Sequence, residues 1–217
     1  MGGGLLGFTI TAFTSIFIIV DPLGNVPVFL GLTGDYDEER RRQASRTASL
    51  TCFGVLSTFS LAGPAIMALF HIGIPALRIA GGIILFVIAM QMLHVRRTRT
   101  KVTPEEELEW ATREDIGLAP MGIPMLAGPG AITAVVVLSR TGPHLAAVPV
   151  VLACVAVTAA LTHLILVQSK YLKRLLGQVG INVLMRLMGL ILAVIAVQFI
   201  LDGLAEAIPG MLRTVRT

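Results

Sequence analysis

Long intervals without a charged residue, each about as long as a bilayer is thick, constrain this chain more than any other feature. Charges gather in short runs, and several intervals between them reach the roughly 20 residues a helix needs to cross a hydrocarbon core. Charged residues occupy 14% of the 217 positions against 55% apolar, with a mean hydropathy of +0.84. A soluble domain carries roughly a quarter charged residues, so the chain reads as an integral membrane protein. The alternating segments of about 10 residues that mark a membrane β-barrel are absent. Residues 1–20 lack the basic stretch and small-residue cleavage site of a secretory signal and read as the start of the first span. Cys52 and Cys154 fall inside apolar spans, so no structural disulfide is expected.

Spans are expected at about 5–32, 47–69, 76–93, 116–140, 145–167 and 183–203, the first and fourth long and interrupted. The connections are 33–46, 70–75, 94–115, 141–144 and 168–182, and the longest reads as a solvated linker. Basic residues in short loops resist translocation and so set orientation. One side would hold Arg40, Arg41, Arg42, Arg46, Arg96, Arg97, Arg99, Lys101, Arg113, Lys170, Lys173 and Arg174. The other holds Arg140, Arg213 and Arg216, and twelve against three puts the basic connections in the cytoplasm and both termini outside. The isoelectric point near 9.6 therefore reflects topology. No phosphate loop, zinc spacing or nucleic-acid motif is present, so neither cofactor nor nucleic-acid partner is expected.

A shift of 107 residues lays one half of the chain on the other. GIILFVIAMQML (82–93) falls on GLILAVIAVQFI (189–200) with seven identities in twelve, including Gly82 on Gly189 and Gln91 on Gln198. The same shift lays Pro22 on Pro129, Gly73 on Gly180 and Thr51 on Thr158. Three helices per half is an odd number, so the second half enters from the opposite face, as in the inverted repeats of secondary transporters. The expected fold is thus all-α and membrane-embedded: six helices as two inverted three-helix repeats, with helices 1 and 4 discontinuous. It forms a single domain over 1–217, with repeat 1 at about 5–93, a cytoplasmic linker at about 94–115 and repeat 2 at about 116–203.

Asp21-Pro22 and Gly128-Pro129 occupy equivalent places, and each reads as a helix start in mid-membrane, an N-cap followed by proline at the first helical position. Gly24, Asn25 and Pro27 surround the first, while Pro120, Gly122, Pro124 and Gly130 surround the second, so uninterrupted helices are not expected. Each break leaves N–H groups of positive character on one half-helix and carbonyls on the other, near Ile19-Val20 and Leu126-Ala127. Converging N–H groups suit a carboxylate, and carbonyls with Asp21 suit an ammonium or a coupling cation. A small zwitterion matches both needs. A proline kink repaired by neighbouring helices is the structural alternative.

Several segments together resemble the MarC/SnatA family. These are DPLGNVPVFLGLT (21–33) with the following RRRQA, ALRIAGGIILFVIAMQML (76–93), APMGIPMLAGPGAI (119–132) and RLMGLILAVIAVQFILDG (186–203). The resemblance covers nearly the whole chain. It implies a six-helix inner-membrane protein of a prokaryote, of a family in which some members are implicated in transport of small neutral amino acids such as glycine and alanine.

The reading reached is a secondary transporter of that class, working by alternating access, with a proton or sodium ion as candidate coupling ion. Its partners would be the bilayer and a small amino-acid substrate. The candidate binding residues are Asp21, Pro22, Leu23, Gly24 and Asn25 from the first break, and Gly128, Pro129, Gly130 and Ala131 from the second. Asp21 is the only acidic residue well inside a span, where a charge is expensive and a functional role is the default. Capping the half-helix is its structural alternative. Arg78 and Asp202, at the outer ends of the third and sixth spans, form a candidate gate, with snorkelling to the headgroups as the alternative for Arg78. Gln91 and Gln198 read as interhelical packing, and His163 as an interfacial histidine rather than a proton relay. An intramembrane enzyme and a non-transporting assembly or regulatory protein are the competing functions. Against the enzyme, Ser15, Ser57, Ser60 and His163 form no nucleophile–base motif.

Overall fold

The computed structural model describes residues 4–93, 116–143 and 146–214, and all regular structure within them is helical. In chain order the helices are α1 (Leu5–Val20), α2 (Val26–Leu32), α3 (Glu38–Leu69), α4 (Ile74–Leu93), the irregular α5 (Gly117–Leu126), α6 (Pro129–Thr141), α7 (Ala147–Val167) and α8 (Ser169–Thr214). Three described segments are long and apolar enough to cross a membrane: Ile74–Leu93, Ala147–Val167 and Val179–Ile208. The pair α5 and α6, bent by 58° at its junction, makes a fourth if the two are one span. The expected linker at 94–115 lies outside the described residues.

Two of the expected connections are helical instead. Residues 33–46 are expected as a connection, yet α3 begins at Glu38, because the Asp37 side chain accepts from Arg40 N–H at 2.7 Å and Glu38 and Glu39 meet the positive end of the helix. Nor is this run wholly solvated, since Arg41 is buried. Residues 168–182 likewise continue as helix. Gln168 alone separates α7 from α8, and the one interruption is Gly177 at φ 63°, a left-handed value that glycine adopts freely. The turn after α3 is a true helix stop. His71 takes φ 55°, Ile72 N–H reaches the carbonyl of Met67 at 2.9 Å, and His71 N–H reaches that of Ala68. This is the Schellman arrangement with histidine in place of glycine.

Packing explains why these helices stay together. The most extensive pair is α4 with α8, and glycine lets their backbones meet. A Cβ on Gly82 would lie 2.7 Å from the Ala196 carbonyl and 3.2 Å from Ile200 N; one on Gly189 would lie 3.2 Å from the Ala89 carbonyl and 3.3 Å from Leu93 N. These are the same contacts under the 107-residue shift, read in both directions, and they run antiparallel. Other pairings obey the same exchange: α3 against α5 answers to α7 against α1, and α4 against α6 answers to α8 against α2. Phe29, Leu56, Leu85, Met121 and Leu126 fill the interior. Buried hydroxyls find each other, as in Ser60 with Ser139 at 2.8 Å, and Ser45 shares a hydrogen bond with His163 Nδ1 at 3.0 Å. The outer faces of α4 and α8 expose Ile83, Ile84 and Val87, and their shifted counterparts Leu190, Ile191 and Val194. An apolar patch of this extent suits lipid rather than water.

Candidate functional site

The first interruption is built from side chains. α1 stops because Asp21 precedes proline, which disfavours the right-handed helical region for it, and an aspartate tolerates the left-handed one. Its backbone stands at φ 48°, ψ 63°. Asp21 Oδ1 then accepts the N–H of Gly24 at 3.0 Å, and Asn25 N–H returns to the Asp21 carbonyl at 3.2 Å, forming the turn at 22–25 from which α2 departs. The Asn25 amide donates backwards to the carbonyls of Val20 (3.2 Å) and Asp21 (2.9 Å). The carbonyls expected to be loose near Val20 are thus partly claimed by Asn25, which the sequence reading had assigned to substrate. Asp21 is 6% exposed, and among the described residues no donor reaches its Oδ2.

The second interruption is built from backbone. Ala119 and Ile123 each precede a proline and are extended, at φ −138°, ψ 129° and φ −133°, ψ 128°. The coil around them is widened, with Met121 N–H bonding the Ile116 carbonyl and Ala127 N–H bonding that of Gly122, five residues back. Gly128 then turns extended, Pro129 opens α6, and no side chain caps it. The N–H groups of Gly130 and Ala131 belong to the first turn, which no intrahelical carbonyl serves.

A cavity of about 210 Å³ lies between the two interruptions. Asp21, Gly24 and Asn25 line it on one side, and Gly128, Pro129, Gly130 and Ala131 on the other. The structure therefore brings together seven of the nine candidate binding residues. Pro22 and Leu23 do not line it, and Leu23 faces a separate groove behind the break. The walls are apolar and close: a Cβ on Gly130 would collide with Leu85, and one on Gly24 would meet Asp21 Oδ2 and lie 2.6 Å from Met92 Cε.

Sequence reasoning missed part of this lining. Gln91 edges the cavity, although its symmetry with Gln198 had suggested packing for both. Gln198 instead donates to Asp202 Oδ1 at 2.6 Å. Met125 and Met185 carried no signal, since methionine in an apolar helix reads as filling. The gate needs correction too. Arg78 pairs with Glu206 at 3.0 Å, not with Asp202. The two acids share one face of α8, one turn apart, and Asp202 is already engaged by Gln198.

A family model described as MarC family integral membrane protein matches residues 6–208. The UPF0056 membrane protein YvbG of Bacillus subtilis is 38% identical over 206 residues, which cover 94% of this chain and 98% of that protein. A UPF0056 membrane protein of Archaeoglobus fulgidus is 37% identical over 96% of this chain and 97% of its own length. The UPF0056 membrane protein YhcE of Escherichia coli is 34% identical over 92% and 93% respectively. No solved structure matches.

Proposed function

The chain belongs to the MarC family of integral membrane proteins, and we propose that it is a secondary transporter of small neutral amino acids of the glycine and alanine class. One observation carries the reading: a small cavity is bounded by the buried Asp21, whose Oδ2 has no donor among the described residues, and by a helix N-terminus whose first N–H groups no side chain caps. A charge near the bilayer centre costs about 2.5–3.5 kcal/mol on insertion scales, so Asp21 calls for a cationic partner. The ammonium of a zwitterion, or a coupling proton or sodium ion, supplies it. The substrate carboxylate would meet the N–H groups of Gly130 and Ala131 at the positive end of α6. Leu85 and Met92 narrow the walls beside Gly130 and Gly24, and the cavity of about 210 Å³ suits a small zwitterion.

The proposed architecture is six spans in two inverted repeats, forming one domain. α1 with α2, and α5 with α6, form the discontinuous first and fourth spans; α3 supplies the second through its uncharged run at 47–69. The reciprocal contacts of Gly82 and Gly189 support it, because an exchange of partners in both directions is what a twofold axis generates. The basic connections would face the cytoplasm of a prokaryotic cell, with both termini outside its inner membrane. The protein would work without a cofactor and without covalent chemistry, by alternating exposure of the cavity.

Purified protein in liposomes tests this. Labelled glycine should accumulate by exchange against internal glycine or along an imposed proton or sodium gradient, with alanine competing and leucine not. If neither gradient nor internal amino acid elicits flux, and no small amino acid shifts thermal stability, the reading is wrong.

A further inference from the structure

A second concavity, of about 660 Å³, lies behind the first interruption. Leu23 contributes to it from the turn whose neighbours Asp21 and Gly24 line the cavity. Its floor runs along α7 through Leu161, Leu164 and Ile165, within a candidate span. From Leu161 to Gln168 a helix rises about 10 Å. At the far end, Gln168, Tyr171 and Arg174 form a polar mouth.

Tyr171 and Arg174 of that mouth belong to residues 169–176, a short helical segment set off from the rest of α8 by the left-handed Gly177. Its chemistry is divided by face. Lys170, Lys173 and Arg174 recur at helical spacing on one side, and Leu172, Leu175 and Leu176 on the opposite side. Lys170, Lys173 and Arg174 are exposed, as are Tyr171 and Leu175. An amphipathic segment with cations on its polar face lies in the membrane–water interface. No acidic residue occurs from 116 to 201, so neither α7 nor the segment 169–176 carries a counter-charge, and Asp21, on the turn that supplies Leu23, lines the other cavity.

We propose that this groove binds an anionic phospholipid, with one acyl chain along Leu161, Leu164 and Ile165 and the phosphate at Arg174, the cation in its lining, beside which Lys170 and Lys173 stand on the same helix face. Charge decides the occupant. A zwitterionic headgroup would set its own cation against three others, a soluble anion has no use for the apolar floor, and a second copy of the chain would bring the same basic face. The bound lipid would lie against Leu23 and so brace the turn at 22–25 from outside.

Native mass spectrometry of the purified full chain reads this without any flux, so the inference stands or falls apart from the transport reading. With phosphatidylglycerol and phosphatidylcholine supplied equally, a phosphatidylglycerol adduct should survive delipidating activation and a phosphatidylcholine adduct should not. The K170Q/K173Q/R174Q variant should weaken retention by roughly a hundredfold, since each basic residue near an anionic lipid contributes about a factor of five. These side chains are exposed, so their replacement spares the fold, and Arg174→Lys should keep the lipid. Leu164→Trp, which fills the floor and keeps every charge, should also expel it. Equal retention of both lipids, retention by the triple variant, or full displacement by inorganic phosphate would each overturn the proposal.

Discussion

The first interruption satisfies its backbone with side chains, whereas the second relies on backbone alone. At 21–25, Asp21 and Asn25 together engage the N–H of Gly24 and the carbonyls of Val20 and Asp21. At 127–131 no side chain caps α6, and its first N–H groups are left to the cavity. Positions matched by the 107-residue shift therefore have opposite electrical characters: a carboxylate on one wall and a helix N-terminus on the other. The 107-residue shift matches the two breaks, and their difference gives the cavity two poles, which a dipolar ligand needs and a symmetric site lacks.

The largest effect should come from removing the charged pole. Asp21→Asn keeps the Gly24 hydrogen bond but loses the charge, and glycine flux should fall by roughly ten- to a hundredfold, the value of a hydrogen bond to a charged group. Thermal stability should hold or rise. Undiminished flux with unchanged proton and sodium dependence would confine Asp21 to capping and dissolve the contrast between the walls. Next is the other pole. Gly130→Ala sets a methyl group against Leu85, so stability should drop by about 1–3 kcal/mol as measured by thermal unfolding in detergent, as for an overpacked core. Glycine affinity should fall with it, and the double change Gly130→Ala with Leu85→Ala should restore both. Asn25→Ala should destabilise by about 1–3 kcal/mol through the unpaired carbonyls of Val20 and Asp21. Because that role is structural, the affinity of whatever protein remains folded should change little; a large loss of affinity would move Asn25 from scaffold to ligand. The smallest effect lies away from the breaks. A double-mutant cycle between Arg78→Ala and Glu206→Ala should give a coupling of about 0.2–1 kcal/mol in stability, while Arg78→Ala with Asp202→Ala should be additive.

The residues that break helices were legible in the sequence because proline and glycine act locally. The start at Pro129 follows from a missing N–H, and Gly128 and Pro129 stand there as N-cap and first residue of α6. The start expected at Pro22 does not form, because Asp21 closes α1 in the left-handed region and α2 begins at Val26 after Asn25, with Pro27 in its first turn. The 107-residue shift was legible for the same reason that α4 and α8 meet: both depend on glycines with no side chain to intervene. Partners across space were not legible. Which acid meets Arg78 depends on how far α8 extends beside α4, and sequence shows that Asp202 and Glu206 share a face but not which turn is level with Arg78. Leu23 belongs to the motif that carries Asp21, yet within one turn neighbouring side chains point to opposite sides, and so it left the cavity for the groove. Helix ends were misjudged where charge was equated with loop. At 38–46 the charges follow a cap, and at 169–176 they form one face of a helix.

The seam between α4 and α8 carries a historical and a manufacturing consequence. Because Gly82 meets Ala196 as Gly189 meets Ala89, the surface involved is complementary to itself once turned over. A polypeptide of half this length, inserted into the membrane in both orientations, would bury the same seam by pairing with an inverted sibling. Fusing two such genes would then require only a tether and a fixed basic bias in each half. Within one chain two such surfaces would no longer be bound to stay identical, and the 107-residue shift lays Asp21 on Gly128.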